Sequence, residues 1–124
     1  MTGFRVVRVG GPGGDVSAPD WLGRAEAVHR QLRPSLDTDY DAQMRRIIAD
    51  GGEMAVVTEA DTVRCVAVFR IFENTHAGRR FYVDDLVTDE TARSSGAGAT
   101  MLRWLEAEAL ARGCGGIEIG RAHV

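Results

Sequence analysis

The densest run of chemistry-bearing residues is Tyr82 to Leu102, YVDDLVTDETARSSGAGATML. It reads as a strand, a loop, a glycine-rich turn and the start of a helix. A helix start leaves about four backbone N–H groups without intrahelical partners and carries about half a positive charge, so it holds an anion without any lysine. The missing side chains at Gly96 and Gly98 let phosphate approach the backbone. Arg93 adds a permanent charge at the rim, and the hydroxyls of Ser94, Ser95 and Thr100 add donors. This spacing suits the binding of a diphosphate.

Two better-known phosphate loops do not fit. All fifteen basic residues are arginine, so the Gly-Lys-Ser/Thr of a Walker loop is absent, as are Schiff-base lysines. In a Gly-x-Gly-x-x-Gly fingerprint starting at Gly96, the third glycine falls on Met101. The earlier cluster Gly11-Pro12-Gly13-Gly14 also follows a strand, but the next helix begins several residues late for a dinucleotide turn. A nucleotide-binding domain using that loop is the weaker alternative, and protection of the loop by a nucleotide would support it.

The carboxylates Asp84 and Asp85 precede the phosphate loop. Strand alternation sends them to opposite faces, so one of them at most faces a cleft, where it would act as a base or attract an amine. Asp84 is the candidate, with Tyr82 on the same face as a hydrogen-bond donor. The plain alternatives are an ion pair between Asp84 and an arginine, and a packing role for Tyr82. Tyr40, near the second helix, is weighed in the same way. Asp89 and Glu90 would repel phosphate and are expected to face water. His29, His76 and His123 share no ligand spacing, and Cys65 and Cys114 form no CxxC, so no metal site is expected and both thiols read as reduced and structural.

These residues need a scaffold. Phe4 to Val9 reads as a strand, stopped by the Gly10 to Gly14 cluster. A helix over about 20 to 33 follows Pro19 and is ended by Pro34, and a second is capped within Asp37 to Asp39 and closed by Gly51 and Gly52. Glu53–Glu59 and Val63–Phe72 form an antiparallel hairpin, and Arg80–Thr88 is a fourth strand. A helix over Ala97–Arg112 carries Met101, Leu102, Leu105 and Ala109 as its buried stripe, and a last short strand covers Ile117–Gly120. The order β-α-α-β-β-β-α-β is an α/β class with a mixed α+β sheet.

The whole has 124 residues, enough for one domain and too few for two packed cores. With 44% hydrophobic and 27% charged residues it is foldable and water-soluble. A net charge of −3 gives no general attraction to nucleic acid or anionic lipid, and neither partner is expected. No apolar stretch approaches the roughly 20 residues needed to span a bilayer, and no signal peptide is evident, so the expected location is cytoplasmic.

The run Arg93-Ser94-Ser95-Gly96-Ala97-Gly98-Ala99, after a strand ending Leu86-Val87-Thr88 and before an amphipathic helix, resembles the Arg/Gln-x-x-Gly-x-Gly/Ala acetyl-CoA loop of the GNAT N-acetyltransferase superfamily. The likeness is clearest over about Phe81 to Arg112, and the element order extends it over roughly Phe4 to Ile119. The resemblance implies an acetyl-CoA-dependent N-acetyltransferase that passes acetyl directly from the thioester to a primary amine, small or on a protein. The backbone amides of Ser94, Ser95, Gly96, Ala97, Gly98 and Ala99 would hold the CoA pyrophosphate. Main-chain groups of Leu86, Val87 and Thr88 would pair with the pantetheine arm, which in the family enters a wedge between splayed strands four and five.

The pattern departs from the family at Ser94 and Ser95, where a basic or glycine-flanked position is common. It departs further in ending after the fifth strand, where the family continues through a helix and further strands that close the acetyl pocket and often carry a tyrosine acid. The expectation is therefore a single GNAT-like domain over residues 1–124, C-terminally shortened, whose uncovered sheet edge favours a homodimer. The alternative is a catalytically impaired module that binds CoA or acts through protein association.

Overall fold

A computed structural model describes residues 3–124. Strand β1 (Phe4–Gly10) is followed by helices α1 (Pro19–Leu32) and α2 (Tyr40–Ala49), then strands β2 (Glu53–Glu59), β3 (Thr62–Asn74) and β4 (Gly78–Thr88). A 3-10 turn (Glu90–Ala92), helix α3 (Ala97–Ala111) and strand β5 (Ile117–His123) come next. The strands make one sheet in the order β1-β2-β3-β4-β5; the first four are antiparallel neighbours, and β5 runs parallel to β4. This is the order read from the sequence.

The local reasons match the residues. Pro19 opens α1, where its missing N–H goes unneeded, and the Asp39 carboxylate accepts the Ala42 N–H at 3.0 Å to cap α2. Helix α3 ends in a Schellman turn: Gly113 takes φ +76°, its N–H reaches the Leu110 carbonyl, and the Cys114 N–H reaches that of Ala109 at 2.8 Å.

Helices cover both faces of the sheet, which is why β2 is buried at almost every position instead of alternating. On one face Val9, Met54, Val56, Val66 and Val68 pack against Leu22, Ala25 and Val28 of α1 and Met44 and Ile48 of α2. On the other, Ala55, Val57, Ala67, Phe69, Phe81, Val83 and Leu86 meet Met101, Leu105 and Ala109 of α3. The glycine cluster belongs to this packing. A Cβ at Gly10 would lie 2.5 Å from Ile48 Cδ1, and one at Gly11 would lie 2.7 Å from Glu53 Cγ. Two observations depart from the sequence reading. Strand β5 runs three residues past Gly120, and the β3–β4 ladder slips by one residue at Asp84, with Val68 opposite Asp85 and Phe69 opposite Val83.

Glu53, only 4% exposed, is held at the far end of the sheet by two guanidiniums: Arg112 contacts it at 3.0 and 2.9 Å, and Arg8 at 3.0 Å. Glu108 of α3 joins both arginines and fastens that helix to β1 and β2. Among the described residues no helix is long and apolar enough to cross a membrane.

Candidate active site

The slip at Asp84 is a β-bulge, and it resets the side-chain parity of β4. Opposite faces were expected for Asp84 and Asp85; instead both carboxylates reach partners on the α1 side of the sheet. The extra residue absorbs one step of the alternation. Asp84, half-exposed, takes a two-pronged hydrogen bond from Arg70, 2.9 Å on each side. Arg70 in turn lies over the rings of Tyr82 and Phe72, with its carbon 5.7 and 5.9 Å from the centroids.

Asp85 is buried, at 7% exposure, and both of its oxygens are engaged. His29 Nε2 lies 2.7 Å from Oδ2, and Arg33 Nε donates to Oδ1 at 2.8 Å. Burial pulls this carboxyl upward, the largest single influence. Hydrogen bonds from His29 and Arg33 together outweigh it and hold Asp85 below the ordinary carboxylate range. The chain of contacts continues from His29 Nδ1 to the Tyr40 hydroxyl at 2.7 Å. With Asp85 ionised, Nε2–H donates to it, and Nδ1 shares the second hydrogen bond with the Tyr40 hydroxyl. Burial first, then the nearby Glu26 and Asp85, push the Tyr40 phenol upward, so it keeps its proton.

This buried line joins α1, α2 and β4. The sequence reading weighed His29 for a metal-ligand role and Tyr40 as a donor near substrate or a packing residue, and did not join the two. One signal was available: His29 and Arg33 are four apart, on the same side of α1 as the apolar stripe, and polar residues there require buried partners.

The second half of the site is the turn into α3. Gly96 caps the helix at φ +100° and Ser94 stands at φ +69°, both in left-handed backbone. The N–H groups of Gly96, Gly98 and Ala99 have no hydrogen-bond partner among the described residues, whereas that of Ser95 is turned to the Ala92 carbonyl and that of Ala97 to Ser95 Oγ. A cavity of about 330 Å³ opens over these amides, lined by Ser94, Gly96, Gly98, Ala99, Leu102 and Val124. Gly98 is buried, and a Cβ there would lie 2.9 Å from Thr88 Oγ1 and 3.7 Å from Val124 Cβ. The glycine therefore shapes the cavity floor. Arg93 is exposed and bends back to the Thr88 carbonyl at 3.3 Å.

The Acetyltransferase (GNAT) family model matches residues 21–123. The chain belongs to the GNAT acetyltransferase family. Solved structures with this fold include a ribosomal-protein-alanine N-acetyltransferase from Brucella melitensis biovar Abortus 2308, with TM-score 0.73 and 13% identity, covering 98% of this chain and 82% of that one. A Trypanosoma brucei acetyltransferase follows at TM-score 0.71 and 16% identity, over 94% and 81% of the two chains. An aminoglycoside N-acetyltransferase in complex with CoA matches at TM-score 0.73 and 10% identity, over 94% and 75%. At these identities the likeness shows the fold. No curated protein sequence matches.

Against the GNAT pattern, one expectation needs correcting. Strands four and five were expected to splay and admit the pantetheine arm beside Leu86, Val87 and Thr88. In this structure β5 stays paired with β4 as far as Val87, opposite His123, and Leu86 faces Ala122. The reason is the extra length of β5, which carries Ala122 and His123 along that edge and sets Val124 over Gly98. Thr88, beyond the last β4–β5 pair, turns its hydroxyl to Cys65 Sγ at 3.7 Å. Burial pushes the Cys65 thiol up to about 11, so it stays protonated. Tyr82 lies against β5, where its hydroxyl would be 2.5 Å from a Cβ at Gly120. Of the loop residues, Ser94, Gly96, Gly98 and Ala99 line one cavity while Arg93, Ser95 and Ala97 do not, Tyr82 and Asp84 gather at Arg70, and Asp85 belongs to the buried line.

Proposed function

We propose that this GNAT chain is an N-acetyltransferase that moves acetyl from acetyl-CoA to a primary amine by direct attack. The observation that carries the reading is the cavity over the free amides of Gly96, Gly98 and Ala99, whose floor exists because residue 98 has no side chain. Unpaired N–H groups at a helix start fit a pyrophosphate, with Ser94 in the cavity lining and Arg93 next to it in the loop; the amides of Ser95 and Ala97, also expected to hold the anion, are engaged within the loop and would join only by releasing those contacts. Thr88 and the edge of Leu86 and Val87 would meet the pantetheine once Ala122 to Val124 move off that edge. Bound acetyl-CoA supplies the activated thioester.

The residues of this chain handle the protons. The amine nitrogen bonds to the thioester carbon as the carbon–sulfur bond breaks. The amine proton passes to a carboxylate, and the departing sulfur takes a proton. Asp84 is the carboxylate assigned to the first transfer, because it is half-exposed at the bulge and its Arg70 partner is solvent-accessible, whereas Asp85 is buried between His29 and Arg33. Tyr82, on the same side with a hydroxyl beside β5, is assigned to the second. Arg70 orients Asp84 through its two-pronged hydrogen bond, so the transfer relies on position.

Calorimetric titration with acetyl-CoA, wild type beside Gly98→Trp and the milder Gly98→Ala, tests the cradle. Saturable binding by the wild type that Gly98→Trp abolishes, with unchanged circular dichroism, supports it. Equal affinity in the folded variants refutes it. A second reading, a module impaired in catalysis that acts through protein association, is favoured by one observation: Ala122 and His123 already hold the β4 edge.

A further inference from the structure

We propose that the acceptor amine carries a carboxylate, which Arg121 recognises in the cleft between the α1–α2 loop and β5; this rests on the acetyl-transfer reading above. The cleft, about 390 Å³, has Arg33, Ser35 and Gln43 on one side and Arg121 on the other. Its polar side chains are two guanidiniums, a hydroxyl and an amide, with no carboxylate among the lining residues. Leu32, Pro34 and Leu36 supply apolar walls for the body of a small molecule.

The charges in the cleft do not cancel. Arg33 spends its Nε and Nη2 on Asp85, and Nη2 also lies 3.5 Å from the Asp84 carbonyl, so its charge is balanced and its guanidinium is held in place. Gln43 accepts the Asp37 N–H through Oε1 at 2.7 Å, which leaves its amide N–H groups as donors. Arg121 is exposed and its side chain has no ion-pair or hydrogen-bond partner among the described residues, although its register partner across the sheet is Asp85. Asp85 is already taken by His29 and Arg33. One uncompensated positive charge remains, and an amine must be neutral when it attacks. A monoanionic acceptor therefore fits and a polycationic amine is opposed.

Position supports the same assignment. Arg121 pairs with Asp85, one residue before the Leu86–Ala122 pair where the cofactor arm would begin to part the strands, and next to the bulge that carries Asp84. Arg33, which lines the cleft, lies 3.5 Å from the Asp84 carbonyl, so a molecule whose carboxylate seats on Arg121 would carry its amine toward Asp84. Arg121 thus acts as a specificity residue and takes no part in the proton transfers.

The test compares δ-aminovalerate with its amide, two amines of closely similar basicity, as acceptors for wild type and Arg121→Gln, with spermine as a polycation. The expected result is kcat/KM about tenfold higher for δ-aminovalerate than for the amide, a ratio that falls near one in Arg121→Gln through a raised KM for δ-aminovalerate. A preference for the amide or spermine, or an unchanged ratio in the variant, overturns the proposal. Amide NMR titration with δ-aminovalerate separates the two readings. Saturable shifts at Ser35, Leu36 and Arg121 without acetyl-CoA binding would uphold the cleft and remove the acetyl-transfer reading. Acetyl-CoA binding with no such shifts would remove the cleft proposal and leave the transferase.

Discussion

His29 Nε2 sits 2.7 Å from Asp85 Oδ2, across 56 residues of chain, with both side chains out of water and Tyr40 at the other ring nitrogen. This contact makes the face of the sheet under α1 and α2 a polar joint inside an apolar core. Each member is satisfied, so the joint fixes how the helices sit on β4. Removing one member strands the others.

Asp85→Asn is expected to lower stability by about 2 kcal/mol at neutral pH, since Asn cannot accept from both His29 and Arg33 as an anion does. The sign of the pH dependence follows from the depressed carboxyl. A group held below its unfolded value of about 3.9 contributes fully above that value, and the contribution is lost as pH falls through the lower folded value. Urea unfolding at neutral pH and near pH 3 should show the wild type and variant converging on the acid side. A gap that persists undiminished in acid would mean that the ionised carboxylate is not the source.

The elements of this fold were legible because turn chemistry and apolar period agree along most of the chain: Pro19, Asp39 and Gly113 each do at their helix ends what their residue types dictate. Strand β5 was read three residues short because Gly120-Arg121-Ala122-His123 has no β-branched alternation; its extension comes from pairing with β4, a neighbour the local pattern cannot display. The bulge at Asp84 was also invisible, because Phe81 to Thr88 reads as one unbroken strand and the slip is visible only against β3. That single residue decided which carboxylate is buried, and it placed the partners of both on one face. His29 escaped for a related reason, its partners lying 11 and 56 residues away.

Asp84→Asn separates the two acidic neighbours by function. If Asp84 accepts the amine proton, turnover should fall by about a hundredfold with acetyl-CoA affinity unchanged, and the fold should survive because the Arg70 pair is solvent-accessible. Steady-state kinetics alongside calorimetry reads both quantities. A rate equal to wild type would take Asp84 out of the chemistry.

At the far end of the sheet Arg112→Ala leaves Glu53 buried with Arg8 as its remaining guanidinium. Breaking a buried ion pair from one side costs about 3 kcal/mol, more than replacing both partners with apolar groups. The expected drop in the urea midpoint should therefore be larger than for the exposed pair broken by Arg45→Ala, which is expected to change stability by about 0.5 kcal/mol or less. Equal shifts would assign the Glu53 cluster no more than a surface role.

The last prediction concerns the strand that lies where the cofactor arm is proposed to go. Val124 lines the cavity over Gly98, and Ala122 and His123 pair with Leu86 and Val87, so an arm cannot add to β4 while that pairing lasts. On addition of acetyl-CoA, the amides of Ala122 to Val124 should exchange hydrogen faster, as those of Gly96, Gly98 and Ala99 become protected. The Phe81–Ile117 and Val83–Ile119 pairs, on the far side of the bulge, should keep their protection. Parting a few residue pairs is a modest opposing free energy, so truncating Ala122 to Val124 should tighten acetyl-CoA binding. Binding with the strand unmoved would send the arm along another path. A folded chain that binds nothing, truncated or whole, would leave association with another protein as the function.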